Sequence, residues 1–211
     1  MKLQNKIGML SVTITVVLMY VALIWLLPLV RGYPALKFLG TVILSVALYR
    51  LIASGSYFVL GKSLWLRKKA LGEEFIEGTW VGKIRREPIE YTIEEYRYRN
   101  GVIEIEGRSF LEDKTPTSHW NSTAVGLDIG NRKLFYAYEC RTESKERPPE
   151  GVALFRLQWE NKELLSCDRL EGFAADLSDG KKDSNTEHKA SDEWLGFEKG
   201  LEKAIEIFGR S

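Results

Sequence analysis

The sequence predicts an N-terminal two-helix transmembrane hairpin, then an all-β up-and-down barrel of about eight strands, then a C-terminal helix. Three observations carry this reading. An uncharged run of 23 residues, Gly8–Val30, lies near the start. Short strand-like runs joined by Asn-Gly-type turns fill the middle. Residues 192–208 carry apolar side chains at helical spacing. The predicted divisions are 1–70 for the hairpin and a basic linker, 71–190 for a cytoplasmic ligand-sensing barrel, and 191–211 for a C-terminal amphipathic helix.

Charge divides the chain in the same place. Residues 1–70 contain nine Lys and Arg and no Asp or Glu. The other 21 basic residues and all 29 acidic ones lie beyond, giving the second part a formal charge of −8. An acidic domain makes a poor general surface for a nucleic-acid polymer, because neutralising phosphates needs a cationic face.

Gly8–Val30 is long enough to span a bilayer, which takes about 20 apolar residues. It is also longer than a signal-peptide core, and no small-residue cleavage pattern follows it. Arg31-Gly32-Tyr33-Pro34 then breaks the helix. A second apolar run extends from Leu36 to about Leu60, interrupted only by Arg50. Lys2, Lys6, Lys62, Arg67, Lys68 and Lys69 flank the outer ends of the pair, against Arg31 and Lys37 at the turn. By the positive-inside rule both termini are cytoplasmic. Arg50 falls near mid-span, where a charge is costly unless it faces protein or water. It is the candidate membrane-effector residue. Snorkelling of its guanidinium toward headgroups is the structural alternative.

The barrel is read from its turns. Asn100-Gly101 joins Tyr96–Arg99 to Val102–Glu106 as a type I′ hairpin. Gly130-Asn131 and Asn161-Lys162 mark two further tight hairpins. The strands expected are 76–86, 90–99, 102–111, 117–128, 132–141, 151–159 and 163–170, with an eighth between Gly172 and Lys189. Seven or eight alternating strands favour closure, which removes exposed edges. Tight turns alternate with longer loops, so one end is expected to be closed, near the membrane, and the other to be fringed by loops.

Turn register assigns faces. Tyr98 pairs with Ile103 and Tyr96 with Ile105, pointing inward. Continuing the second hairpin pairs Leu127 with Leu134, Val125 with Tyr136, Thr123 with Tyr138 and Asn121 with Cys140. Trp120 then stands opposite Arg141 on the outer face. In the third, Trp159, Leu157, Phe155, Leu164 and Asp168 share a face. An interior that turns polar toward the long-loop end suggests a mouth for something small. A filled barrel with a wet mouth is the structural alternative. The candidate ligand-binding residues are Trp120, Asn121, Thr123, Tyr138 and Arg141. Trp120 and Arg141 also read as a rim cation–π pair.

The two cysteines, Cys140 and Cys167, make neither a disulfide framework nor a metal site and read as small buried hydrophobes. The sequence contains no HExxH, Walker loop, CxxC or nucleophile elbow, so no enzyme, metal or cofactor is expected. In the tail, Trp194, Phe197, Leu201, Ala204, Ile205 and Phe208 form one stripe, expected to pack on the barrel wall.

Glu77-Gly78-Thr79-Trp80-Val81-Gly82 carries a G-x-W that resembles the lipocalin signature, whose Trp plugs the closed end of the barrel. The whole plan, with two spans, a short basic linker, the G-x-W strand and a β-meander, resembles the two-transmembrane, β-strand-rich effectors associated with CD-NTases in bacterial CBASS antiphage systems. That resemblance implies an inner-membrane protein whose barrel binds a cyclic dinucleotide. Binding drives self-oligomerisation, membrane disruption and abortive-infection cell death. It identifies no contact residue position by position. Two other readings remain: a membrane-tethered lipocalin-like carrier of an apolar or lipid ligand, and a structural membrane protein whose barrel docks a partner.

Overall fold

Apolar sequence free of internal breakers gives two long helices, α1 (Leu3–Leu26) and α2 (Pro34–Lys62). Pro34 opens α2, where its missing N–H costs nothing. The computed structural model describes residues 3–26, 34–84, 88–99, 102–141, 150–160, 165–177 and 180–209. It divides the chain into two units, Met1–Ala70 and Leu71–Ser211.

In the first unit α1 and α2 are in contact. Among the described side chains of α1 the buried ones are Ser11, Thr15 and Met19, one per turn on a single stripe. Small and hydroxyl-bearing side chains on such a stripe let helices approach closely. The Thr15 hydroxyl donates back to the Ser11 carbonyl at 2.7 Å. Of the two helices, α2 contains the one described segment, Phe38–Ser56, long and apolar enough to cross a membrane. The apolar stretch of α1, Ser11–Ala22, is shorter. Arg50 lies within the α2 segment and is exposed. A short helix, α3 (Leu64–Leu71), follows. Arg67 of that helix donates to the Gly61 carbonyl at 2.7 Å, satisfying an acceptor at the end of α2.

The second unit is a closed antiparallel barrel of eight strands in sequence order. They are β1 (Gly78–Ile84), β2 (Glu90–Arg99), β3 (Val102–Leu111), β4 (Pro116–Asp128), β5 (Lys133–Arg141), β6 (Glu150–Gln158), β7 (Arg169–Asp176) and β8 (Lys182–Ser191). Closure comes from β1 pairing with β8, with Val81 opposite His188.

The first six strands agree with the sequence reading to within two residues at each described end. The predicted strand 163–170 is displaced. β7 begins at Arg169, where Leu157 pairs with Leu170 and Gln158 with Arg169. Leu165 is exposed in a bend rather than paired. The predicted Asn161-Lys162 turn and Leu164 lie outside the described residues. The eighth strand is real, and Gly172 belongs to β7 rather than to it.

This changes the expected loop pattern. The β6–β7 connection lies at the same end of the barrel as the β2–β3 and β4–β5 connections and is longer than either, so that end is not uniformly tight; the Asn100-Gly101 turn itself lies outside the described residues. At the opposite end 177–181 is a short link, closed by the Gly180 N–H donating to the Asp176 carbonyl at 2.9 Å.

Two apolar clusters hold the barrel. The inner one fills the end where β1 begins, with Ile76, Trp80, Tyr96, Leu134, Leu157 and Leu170 all essentially inaccessible. Trp80 packs against Tyr96 in a tilted pair with ring centroids 5.6 Å apart, and its indole N–H donates to the Ile76 carbonyl at 2.8 Å. It occupies the plug position that its G-x-W context predicted. The outer cluster lies under a C-terminal helix, α4 (Phe197–Phe208), packed on β1, β2 and β8. Leu201 and Ala204 of α4 meet Val81, Tyr91 and Ile93, and Gly200 lies so close to Ile93 that a Cβ there would be 2.5 Å from it. The helix starts at Phe197, later than the stripe suggested. Trp194 precedes it and donates to the Tyr96 carbonyl at 3.0 Å.

Candidate functional site

Strand alternation places one face of every strand inside the barrel. At the end of the barrel opposite the Trp80 plug, the interior residues leave a cavity of ≈ 320 Å³. Its wall is aromatic: Trp120 on β4, Tyr136 and Tyr138 on β5, and Phe155 on β6. Its floor is polar: Thr92 and Glu94 on β2, and Asn185 on β8, with Glu187 directly beneath.

Trp120 and Tyr138 reach this wall by local devices. A bulge between Ser122 and Ala124 shifts the β4 register by one residue. Trp120 therefore pairs with Cys140, and Ser122 pairs with Tyr138. The pairings predicted for Thr123 with Tyr138 and for Asn121 with Cys140 do not form, because the extra residue at Thr123 turns every side chain before it to the other face. Trp120 points inward rather than toward Arg141. Its ring lies over Gly107, the residue opposite it on β3, where a Cβ would fall 2.1 Å from the indole. Tyr138 likewise lies over Gly151 on β6, where a Cβ would be 2.2 Å from the phenol ring.

The candidate residues therefore divide into two groups. Trp120 and Tyr138 come together in the cavity. Asn121 and Thr123 are exposed and line a separate open cleft of ≈ 490 Å³ in the wall between β3 and β4. That cleft exists because β3–β4 pairing begins only at Glu106 opposite Asn121. Beyond it the Ser122 hydroxyl takes the place of a strand partner, accepting the Ile105 N–H at 2.8 Å. Arg141 lines neither hollow. It is exposed on the outer face opposite His119, so the rim pair with Trp120 does not form.

The residues that the sequence reading missed are the buried carboxyls. Glu94 and Glu187 are 2% and 0% exposed. Glu94 Oε1 accepts from the Tyr136 hydroxyl at 2.7 Å and from the Trp120 indole N–H at 3.2 Å. Glu187 accepts from the Asn185 amide at 2.8 Å and from the Tyr96 hydroxyl at 3.3 Å. Among the described residues no Lys or Arg lines the cavity. Burial therefore dominates: it pushes the Glu94 carboxyl up to about 7, against hydrogen bonds from Tyr136, Tyr96 and Trp120 that pull it down. Glu187 is also raised well above its ordinary value, by burial and by the charge of Glu94. Tyr138 is pushed up to about 12, chiefly by burial.

Three buried polar atoms around the cavity, Glu94 Oε2, Thr92 Oγ1 and Asn185 Oδ1, have no hydrogen-bond partner among the described residues. Two of them converge over Gly82. A Cβ there would lie 2.4 Å from Thr92 Oγ1 and 2.8 Å from Asn185 Oδ1. Buried polar atoms are costly when unpaired, so the floor is a cradle of acceptors at the bottom of an aromatic cup. Asp176 and Asp183 add two more carboxyls to the lining.

Among the described residues no group of His, Cys, Asp and Glu is arranged to hold a metal ion. Cys167 is buried in the inner core and its thiol is pushed up to about 12 by burial, which suits a packing role. Compared with protein-family models, with curated proteins and with solved structures, the chain has no match.

Proposed function

We propose that this chain is a membrane effector in which the barrel senses a small ligand and the N-terminal helices deliver the response. The observation that carries this reading is the cavity opposite the Trp80 plug, with unpartnered buried polar atoms on its floor and aromatic rings on its wall. A barrel stabilised only for its own sake gains from apolar side chains there. Two buried carboxyls with no lining cation among the described residues cost stability.

The ligand proposed is a cyclic dinucleotide, in keeping with the architecture of the antiphage effectors. Its bases suit the rings of Trp120 and Tyr138, since stacking on an aromatic side chain contributes about 1–3 kcal/mol per base. At ≈ 320 Å³ the cavity is at the lower end of small-ligand pockets, which run from about 300 to 1,000 Å³. It takes one base rather than the whole ligand. Its acidic lining leaves the phosphates outside. An all-apolar lipid finds no match for Glu94, Thr92 and Asn185, which counts against the carrier reading.

On the output side we propose that α1 and α2 both span the inner membrane as a hairpin, with both termini cytoplasmic. Ligand binding promotes self-assembly, which gathers many copies of Arg50 in one patch of bilayer. The test is to measure melting of the full chain in nanodiscs against a panel of cyclic dinucleotides. Leakage of dye-loaded anionic vesicles is then followed with any ligand that stabilises it. A melting shift together with ligand-dependent leakage is expected. A folded barrel that no cyclic dinucleotide shifts contradicts the reading.

A further inference from the structure

We infer that the cavity floor selects a planar group that presents an N–H donor edge: a guanine-type base edge or an amidinium. This deepens the ligand-sensing reading and rests on it. Every unpartnered atom on the floor accepts hydrogen bonds: Glu94 Oε2, Asn185 Oδ1 and, through its oxygen lone pairs, Thr92 Oγ1. All three side chains are more than nine-tenths buried. A ligand entering between Trp120 and Tyr138 therefore meets acceptors at its leading edge. A guanine edge offers adjacent ring N–H and amino donors to a carboxylate, as does an amidinium. An adenine edge offers one amino donor beside a ring acceptor, which a carboxylate repels.

The protonation state of Glu94 adds a signature. The groups facing it are Trp120 on β4, Tyr136 and Tyr138 on β5, Tyr96 on the same strand, and Glu187 and Asp183 on β8, with Asp176 on β7 near the mouth. Among the described residues no cation faces it. An ionised Glu94 binds a donor edge best, and a neutral one can itself donate to a ring acceptor. Preference for the donor edge accordingly grows as pH rises.

The experiment uses the full chain in nanodiscs with three probes: cyclic di-GMP, cyclic di-AMP and benzamidine. Binding is followed by calorimetry from about pH 6 to about pH 8, a range in which Glu94 ionises. The expected result is that cyclic di-GMP binds at least about tenfold tighter than cyclic di-AMP at the upper pH. The preference shrinks toward the lower pH, and it is lost in Glu94→Gln and in Asn185→Ala. Benzamidine binding without either nucleotide supports the donor-edge inference and overturns the nucleotide reading of the ligand. Cyclic di-AMP binding as tightly as cyclic di-GMP, with no pH dependence, overturns the inference and leaves the sensor reading standing. No binding by any probe overturns both. Glu94→Gln keeps the shape of the site and removes a buried charge, so it folds; Asn185→Ala provides an independent arm on β8.

Discussion

Tyr136 donates its hydroxyl hydrogen bond to Glu94 Oε1 at 2.7 Å across the barrel interior, tying the aromatic wall of the cavity to its acidic floor. The bond is buried, and Trp120 shares the same oxygen. Removing the hydroxyl in Tyr136→Phe leaves an ionised carboxylate less well supported. The expected cost is about 1–3 kcal/mol at neutral pH, as for hydrogen bonds to charged groups. The carboxyl of Glu94 rises further. Chemical denaturation measures the first effect and carbon-detected titration of the Glu94 carboxyl the second.

Buried acids give the barrel a distinctive pH dependence. Glu94 has an ordinary value of 4.5 and is raised to about 7 in the fold, and Glu187 is raised too. Between those values the folded state keeps a proton that the unfolded state has lost. Stability therefore falls as pH rises from about 4.5 through about 7, with a loss on the order of 3 kcal/mol from Glu94 alone, and Glu187 adds to the loss as it ionises. Glu94→Gln flattens that slope. Unfolding measured across this pH range with the wild type and the variant checks both the sign and the source.

Gly107 and Gly151 are the seats of the two cavity aromatics. Any side chain at Gly107 drives into the Trp120 ring, and any at Gly151 into Tyr138. Gly107→Ala is expected to destabilise the barrel by about 1–3 kcal/mol through overpacking. It also shifts the Trp120 indole resonance. Gly130→Ala, at a turn where a Cβ would meet only Asp128 Oδ1 at an ordinary 3.5 Å, is the matched control and leaves that resonance in place.

The wall cleft rests on one hydroxyl. Ser122→Ala removes the acceptor for the Ile105 N–H, at a cost of about 1 kcal/mol. Hydrogen exchange at the Ile105 amide is expected to speed up while exchange at Glu94 and Tyr96 is unchanged.

Arg50 separates output from sensing. Arg50→Leu makes the Phe38–Ser56 segment uniformly uncharged. Ligand-induced melting shifts are expected to stay as in the wild type, with vesicle leakage reduced severalfold. Full leakage from the variant returns Arg50 to a snorkelling role.

How much of this was legible in the sequence depends on which device set each element. The register from Tyr96–Ile105 to Tyr98–Ile103 was readable because a two-residue Asn-Gly turn leaves no freedom. The β4–β5 register was readable from Leu127 to Val125 and lost at Thr123. Ser122, Thr123 and Asn121 are all polar, so hydropathy alternation carries no mark of the bulge there. The displaced β7 had a different cause: Leu164 and Leu165 imitate a strand in a connection, while Gly172 and Ala174 inside β7 look like turn residues.

β8 was the hardest to see, and for an instructive reason. Its inward positions are Asp183, Asn185, Glu187 and, beside Trp80, Lys189, where a filled barrel has Val or Leu. The polar residues that hid the strand are those that build the cavity floor. Turn register placed Tyr138 inside and Trp120 outside as a rim residue, and the unseen bulge brings Trp120 in beside Tyr138. The acceptors that give the cavity its chemistry were hidden by the assumption that a barrel interior is apolar.

The measurement that tests the account most directly is side-chain NMR of the full chain in nanodiscs, titrated with the ligand that stabilises it best. The account predicts shifts at the Trp120 indole N–H, the Asn185 amide and the Tyr138 ring, with the Asn121 amide and the Arg141 guanidinium unmoved. Shifts confined to Asn121, Thr123 and Arg141, with the Trp120 indole N–H still bonded to Glu94, contradict it.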